Sequence, residues 1–143
     1  SFISKKFKIE NNNQIKKSIK KLIIKNKDNL KKLEKIIHPL VRKKMKEFTS
    51  KNKNKNILFY EIPLLIESKL MKFFNIIIFI KSNKTLRLKR FKSKNGEKKL
   101  FFLLNNKQLN EKKKIGFCDY VVVNEKDLKV LQKKLSAIIS KYE

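Results

Sequence analysis

The sequence predicts an α/β domain in which a parallel sheet is flanked by helices. Residues 57–60, 75–80 and 119–123 form short, nearly continuous apolar runs, the pattern of strands buried on both faces. Stretches with a helical apolar period lie before and between them, so the chain reads helices, then strand, helix, strand, helix, strand, helix. That alternation is the mark of a parallel sheet joined by helical crossovers.

Each element has a local cause. Residues 1–13, ending in Asn11, Asn12 and Asn13, read as a polar lead-in. From Gln14, residues Ile15, Ile19, Leu22 and Ile23 fall on one helical face with lysines opposite. Residues 26–29 break the period, and Asp28 is expected to cap the next helix. Leu30, Leu33, Ile36 and Ile37 then form its apolar stripe. Pro39 disfavours helical geometry at His38 and suits the first turn of a new helix, so an interruption is expected there. The new helix is expected to carry Leu40, Val41, Met45 and Phe48 inward. Residues 49–56 read as a polar connection before the first strand. Asn83 is placed to cap a helix containing Leu86, Leu88 and Phe91, and the charged residues 93–99, with Gly96, read as a mobile turn. Residues 100–104 form an apolar patch, and residues 105–116 a second polar connection. The final helix is expected from about Glu125, burying Leu128, Leu131, Leu135, Ile138 and Ile139.

The length, 143 residues, suits one domain with a real core. The net charge of +27 by itself points to nucleic acid or an acidic membrane surface. Nearly all of it is lysine, with only Arg42, Arg87 and Arg90 as arginines, and Asn and Ile are abundant too. An AT-rich coding sequence explains that bias better than selection for phosphate binding, which favours the bidentate arginine fork. Nucleic acid is therefore not the expected partner. One cysteine, Cys118, excludes a disulfide framework, and one histidine, His38, excludes a Cys/His zinc cluster. The longest purely apolar run, residues 76–80, is far short of the roughly 20 residues that span a bilayer. The amino end lacks the apolar core of a secretory signal. A cytoplasmic protein without a membrane partner is expected; oligomeric state is not legible.

In open α/β sheets, ligands bind beyond the carboxyl ends of the strands. Glu61 falls at such an end, where a carboxylate can orient Mg²⁺-bound water, although alone it reads first as an exposed loop residue. His38 by itself reads as a helix-start residue. Arg87 and Arg90 taken alone read as a solvated helix face, and Asn124 as a helix cap. Cys118 has no histidine near it in sequence and reads as packing.

Two clusters around the only prolines add a more specific signal. Residues 61–67, Glu-Ile-Pro-Leu-Leu-Ile-Glu, and residues 33–41, Leu-Glu-Lys-Ile-Ile-His-Pro-Leu-Val, resemble the two corresponding segments of dephospho-CoA kinases, in the same order. Arg90, Lys94 and Asn95 are similar to the start of that family's lid, and Gln108, Lys114, Asp119 and Asn124 keep its closing spacing. The resemblance spans about residues 30–140. It implies a three-layer P-loop kinase-like sheet, incomplete at the amino end. Residues 1–56 would belong to the helical substrate domain, and residues 57–143 to the kinase core with a lid at about 84–116. It implies transfer of the ATP γ-phosphoryl group to the ribose 3′-hydroxyl of dephospho-CoA, with Mg²⁺. Arg90, Lys94 and Glu61 would serve catalysis, with Glu61 reaching the metal through water. Gln108 and Asn124 would bind the nucleotide, and His38 and Arg42 the substrate. Glu61 stands where the family usually has Asp, Ile66 where it has Phe, Lys94 where it has Arg, Cys118 where it has a small residue, and Leu104 where it has Arg.

The chain's two glycines, Gly96 and Gly116, cannot make the phosphate loop G-x-x-x-x-G-K-S/T, which occurs nowhere in it. The chain opens on Ser1 rather than Met, which fits a processing site or a truncation; with the phosphate loop absent, an amino-terminal truncation is the expectation, and this chain alone is expected to be inactive and prone to aggregate. Three alternatives remain: another nucleotide kinase with a similar lid, a basic nucleic-acid-binding module, and a silent kinase paralogue.

Overall fold

The computed structural model describes residue 7, residues 14–26 and residues 28–143, and it divides into two compact units, Ser1–Lys55 and Asn56–Glu143. The expected polar lead-in, residue 7 apart, lies outside the described residues.

The first unit contains a helical hairpin of α1 (Ile15–Lys25) and α2 (Asp28–Lys51). Ile23 and Leu30 are its buried apolar contacts. The turn between the helices is built by asparagine side chains, which offer the backbone local alternatives to helical bonds. Asn26 Oδ1 accepts from the Asp28 N–H at 2.8 Å, and Asn29 Nδ2 donates to the Leu22 carbonyl at 2.9 Å. Asp28 is thus a first-turn residue rather than the cap.

The interruption expected at Pro39 does not occur, because α2 runs through it. Proline removes one helical hydrogen bond, to the carbonyl four residues back. Lys35, which owns that carbonyl, and Pro39 are both exposed, so water can take the lost bond. With the helix continuous, its second half turns outward: Leu40, Val41 and Phe48 are exposed instead of buried.

The second unit is an α/β layer. β1 (Ile78–Lys81) and β2 (Tyr120–Val123) pair in parallel, with Ile78 opposite Tyr120 and Lys81 opposite Val123. Asp119 sets this register. Its Oδ2 accepts from the Ile77 N–H at 2.7 Å, while its own N–H donates to the Ile77 carbonyl at 2.9 Å. At the other end the Asn124 N–H donates to the Lys81 carbonyl at 2.7 Å. The crossover holds α3 (Lys84–Ser93), α4 (Lys98–Asn105) and α5 (Glu111–Ile115); α6 (Leu128–Ile139) follows and packs on β2. The apolar patch at 100–104 is therefore helical, and the polar connection contains a short helix capped by Asn110, whose side chain accepts from the Lys112 N–H. Leu70, Leu100, Phe101 and Val122 are the buried apolar residues of this unit.

Residues 57–60 do not join the sheet, which has the order β1–β2. A strand needs a ladder partner, and the apolar run by itself supplies none. α6 starts at Leu128 with Asp127 as its cap, Oδ1 accepting from the Val130 N–H at 2.9 Å. Leu128 consequently lies in the first turn and is 75% exposed, contrary to the expected buried face.

The turn after α3 has a fixed geometry. Asn95 takes the left-handed φ of 57°, its N–H donates to the Lys92 carbonyl at 2.9 Å, and the Gly96 N–H donates to the Phe91 carbonyl at 3.0 Å. This is a Schellman closure in which asparagine, not glycine, adopts the left-handed residue. Gly96 is needed for closeness: a Cβ there would meet the Phe91 ring and lie 2.5 Å from the Phe91 carbonyl oxygen. Gly96→Ala is expected to cost about 1–3 kcal/mol by overpacking, while Asn95→Gly is tolerated. Urea denaturation of the two variants checks the contrast.

Candidate active site

The carboxyl ends of β1 and β2 gather polar groups from three segments. α3 begins there because Asn83 Oδ1 accepts from the Leu86 N–H at 2.8 Å, as its sequence position predicts. The Asn83 N–H donates to Glu125 Oε1 at 2.9 Å, tying the loop after β1 to the loop after β2. α3 then directs two half-buried arginines back onto strand-end carbonyls: Arg87 Nε donates to the Ser82 carbonyl at 3.1 Å, and Arg90 Nη1 to the Asn124 carbonyl at 3.0 Å. The Ser82 hydroxyl is buried without a hydrogen-bond partner among the described residues. Arg90 and Asn124, read separately from the sequence, are thus in direct contact. The contact uses the Asn124 backbone, not its side-chain amide.

A second cluster sits under the end of the crossover. Glu67 Oε1 accepts from the Leu109 N–H at 2.8 Å and lies 3.0 Å from Lys114 Nζ. Lys114 Nζ also donates to Gln108 Oε1 at 3.2 Å and stands 5.8 Å from the Phe79 ring centre. The Lys114 and Glu67 side chains are only 8% and 14% exposed, so water contributes little to either charge. Burial by itself would raise the Glu67 carboxyl. The Leu109 N–H, its own N–H and the Lys114 ammonium outweigh that and hold it below its ordinary value.

A depressed carboxyl contributes stability that is fully present above its unfolded value, about 4.3 for glutamate. That contribution is lost as pH falls through the lower folded value. Wild type is therefore expected to lose more stability than Glu67→Gln between about pH 6 and about pH 3, as thermal melts across that range would record.

Glu67 is presented by a turn that Pro63 opens. The Ser68, Lys69 and Leu70 N–H groups donate to the Leu64, Ile66 and Leu65 carbonyls at 2.9, 3.0 and 3.1 Å, with Lys69 left-handed at φ 56°. The buried Leu70 seals this closure. Glu61, just before the turn, is exposed. Lys94 caps the end of α3 and is also exposed, and Leu104 on α4 is 36% exposed.

In the first unit, His38 is half-buried in mid-helix, so it does not start a helix. Arg42 lines an open groove of about 700 Å³ with Pro39, Lys43, Lys46, Glu47, Ser50 and Lys51. Its one carboxylate, Glu47, is held by Lys44 at 2.8 Å, which keeps the carboxyl below its ordinary value and leaves the groove cationic.

Cys118 is held in place by Sγ donating to the Lys114 carbonyl at 3.1 Å. Burial, then the Asp119 carboxylate, push its thiol up, away from the nucleophilic form. Among the described residues no group of three or more His, Cys, Asp or Glu is placed to hold a metal, and no helix is long and apolar enough to cross a membrane. A single carboxylate such as Glu61 fits Mg²⁺ only as a partial ligand shared with water and phosphates.

Sequence reasoning missed the Glu67–Lys114 pair and the roles of Arg87 and Glu125. Glu67 and Lys114 were both visible as motif positions, but nothing in their spacing announces a mutual contact.

The model of the dephospho-CoA kinase family matches residues 6–129. A dephospho-CoA kinase of Bartonella quintana is 32% identical over 134 residues, covering 92% of this chain and 69% of the relative. One of Fusobacterium nucleatum is 33% identical over 127 residues, covering 88% and 65%. The chain thus spans about two thirds of the length of these curated relatives. The crystal structure of TT1252 from Thermus thermophilus superposes with a TM-score of 0.69 at 23% identity, over 90% of this chain and 68% of that one. That likeness shows the fold, a P-loop kinase-like α/β arrangement with a parallel sheet flanked by helices. With the family's pattern followed through most of its length, the chain belongs to the dephospho-CoA kinase family.

Proposed function

We propose that this chain is the carboxy-terminal portion of a dephospho-CoA kinase, which passes the γ-phosphoryl group of ATP to the ribose 3′-hydroxyl of dephospho-CoA in the cytoplasm. The observation that carries this reading is the contact of Arg90 with the Asn124 carbonyl at the carboxyl ends of the parallel pair. It supports a crevice where a lid cation and a nucleotide-side loop meet.

Arg90 and Lys94 are assigned to the charge that develops on the transferring group. Glu61 is assigned to Mg²⁺ through water, Asn124 and Gln108 to the nucleotide, and His38 and Arg42 to dephospho-CoA. Residues 1–56 serve as part of the substrate domain, and residues 57–143 as the kinase core with its lid at about 84–116.

The β- and γ-phosphates need backbone N–H groups and a lysine that no motif of this chain provides. The two-stranded sheet supports a further strand supplied from elsewhere in the gene product. The pure 143-residue chain is therefore expected to show no ATP-dependent gain of phosphate on dephospho-CoA, and the complete gene product to show it by mass spectrometry. An encoded start codon at Ser1, with no phosphate loop upstream, would contradict the reading.

A further inference from the structure

We infer that Glu67 and Lys114 are positioning residues whose ion pair locks the closing part of the lid, residues 108–114, to the turn that follows Glu61.

One carboxylate oxygen, Glu67 Oε1, meets both the Leu109 N–H at 2.8 Å and Lys114 Nζ at 3.0 Å. The same ammonium reaches Gln108 Oε1 at 3.2 Å and lies over the Phe79 ring of β1. Three separate stretches of chain therefore converge on one charge pair: the turn at 63–69, the segment at 108–114, and the strand. The pair is well enclosed, with Lys114 8% and Glu67 14% exposed, so its geometry is not averaged away by solvent.

The consequence for Gln108 is direct. One lone pair of its carbonyl oxygen is taken by Lys114, which leaves the other and the amide nitrogen for a nucleotide. Both charges are enclosed and spent on protein groups, so the pair acts through the segments it fixes. A lid that carries catalytic cations contributes only if its ends are held at a set place relative to the metal-side carboxylate, here Glu61. The effect on transfer rests on the kinase reading above; the mechanical coupling does not.

The test is Glu67→Gln, a neutral side chain of the same shape that can still accept from Leu109. Amide exchange in the complete gene product is read by NMR at Leu109 and at Val122, the buried centre of β2. Because the segment is held by charge, Leu109 is expected to exchange about tenfold faster while Val122 is unchanged. Equal acceleration at both sites, or full protection of Leu109, would overturn the coupling. In the complete gene product, kcat is expected to fall about tenfold with the KM for ATP held within about twofold. A raised KM at unchanged kcat would overturn the positioning role. A wild-type protein that transfers no phosphate would remove the kinase reading and leave the exchange result to decide the coupling.

Discussion

Lys114→Met is expected to lower the unfolding free energy by about 3 kcal/mol, the scale for removing one partner of a buried ion pair. Methionine keeps most of the aliphatic stem, so little apolar burial is lost. What is lost is the ammonium 3.0 Å from Glu67, which leaves a largely enclosed carboxylate with only backbone N–H donors, those of Leu109 and of Glu67 itself. The unpaired carboxylate then carries the desolvation cost that the ammonium had offset. Urea denaturation should show a lower midpoint at unchanged slope. The paired change Lys114→Met with Glu67→Leu should recover most of the loss, because an apolar pair of similar volume has no charge to desolvate. A single-variant loss under about 0.5 kcal/mol would mean that water reaches the pair freely.

Arg90→Ala is expected to reduce phosphoryl transfer by the complete gene product about a hundredfold, the usual loss when one donor to developing charge is removed. Two effects combine in that number. The guanidinium charge that the proposed function assigns to the transferring group goes, and the Asn124 carbonyl loses its 3.0 Å donor. Arg90→Lys separates them, since an ammonium keeps the charge but not the planar fork. If charge dominates, Arg90→Lys retains most of kcat. If loop anchoring dominates, it behaves like Arg90→Ala, with a raised KM for ATP.

Much of the second unit was legible because its signals are local. β-branched and aromatic runs gave β1 and β2, and Asn83 sits one residue ahead of a helical period, where a cap must be. The misreadings share a different cause: each depends on something not adjacent in sequence. Residues 57–60 have strand composition but lack a neighbouring strand. Pro39 breaks helices in general, yet its exposed setting lets α2 continue. Leu128 matches the apolar period of α6 but stands in its exposed first turn, while Leu131, Leu135, Ile138 and Ile139 are half-buried rather than buried. At the site, resemblance to the family's motifs pointed to Arg90, Gln108 and Asn124, but not to what they touch. Gln108 and Arg90 each turn out to hold protein groups, Lys114 Nζ and the Asn124 carbonyl. Such contacts arise from the crossover's path in space, which no spacing rule encodes.

The most direct measurement is the mass of dephospho-CoA after incubation with ATP and Mg²⁺, taken for the 143-residue chain and for the complete gene product in parallel. The account predicts one added phosphate, on the ribose 3′-hydroxyl, from the complete product and none from the shorter chain. Equal phosphorylation by both would contradict it, because the triphosphate cradle would then have to lie within these 143 residues.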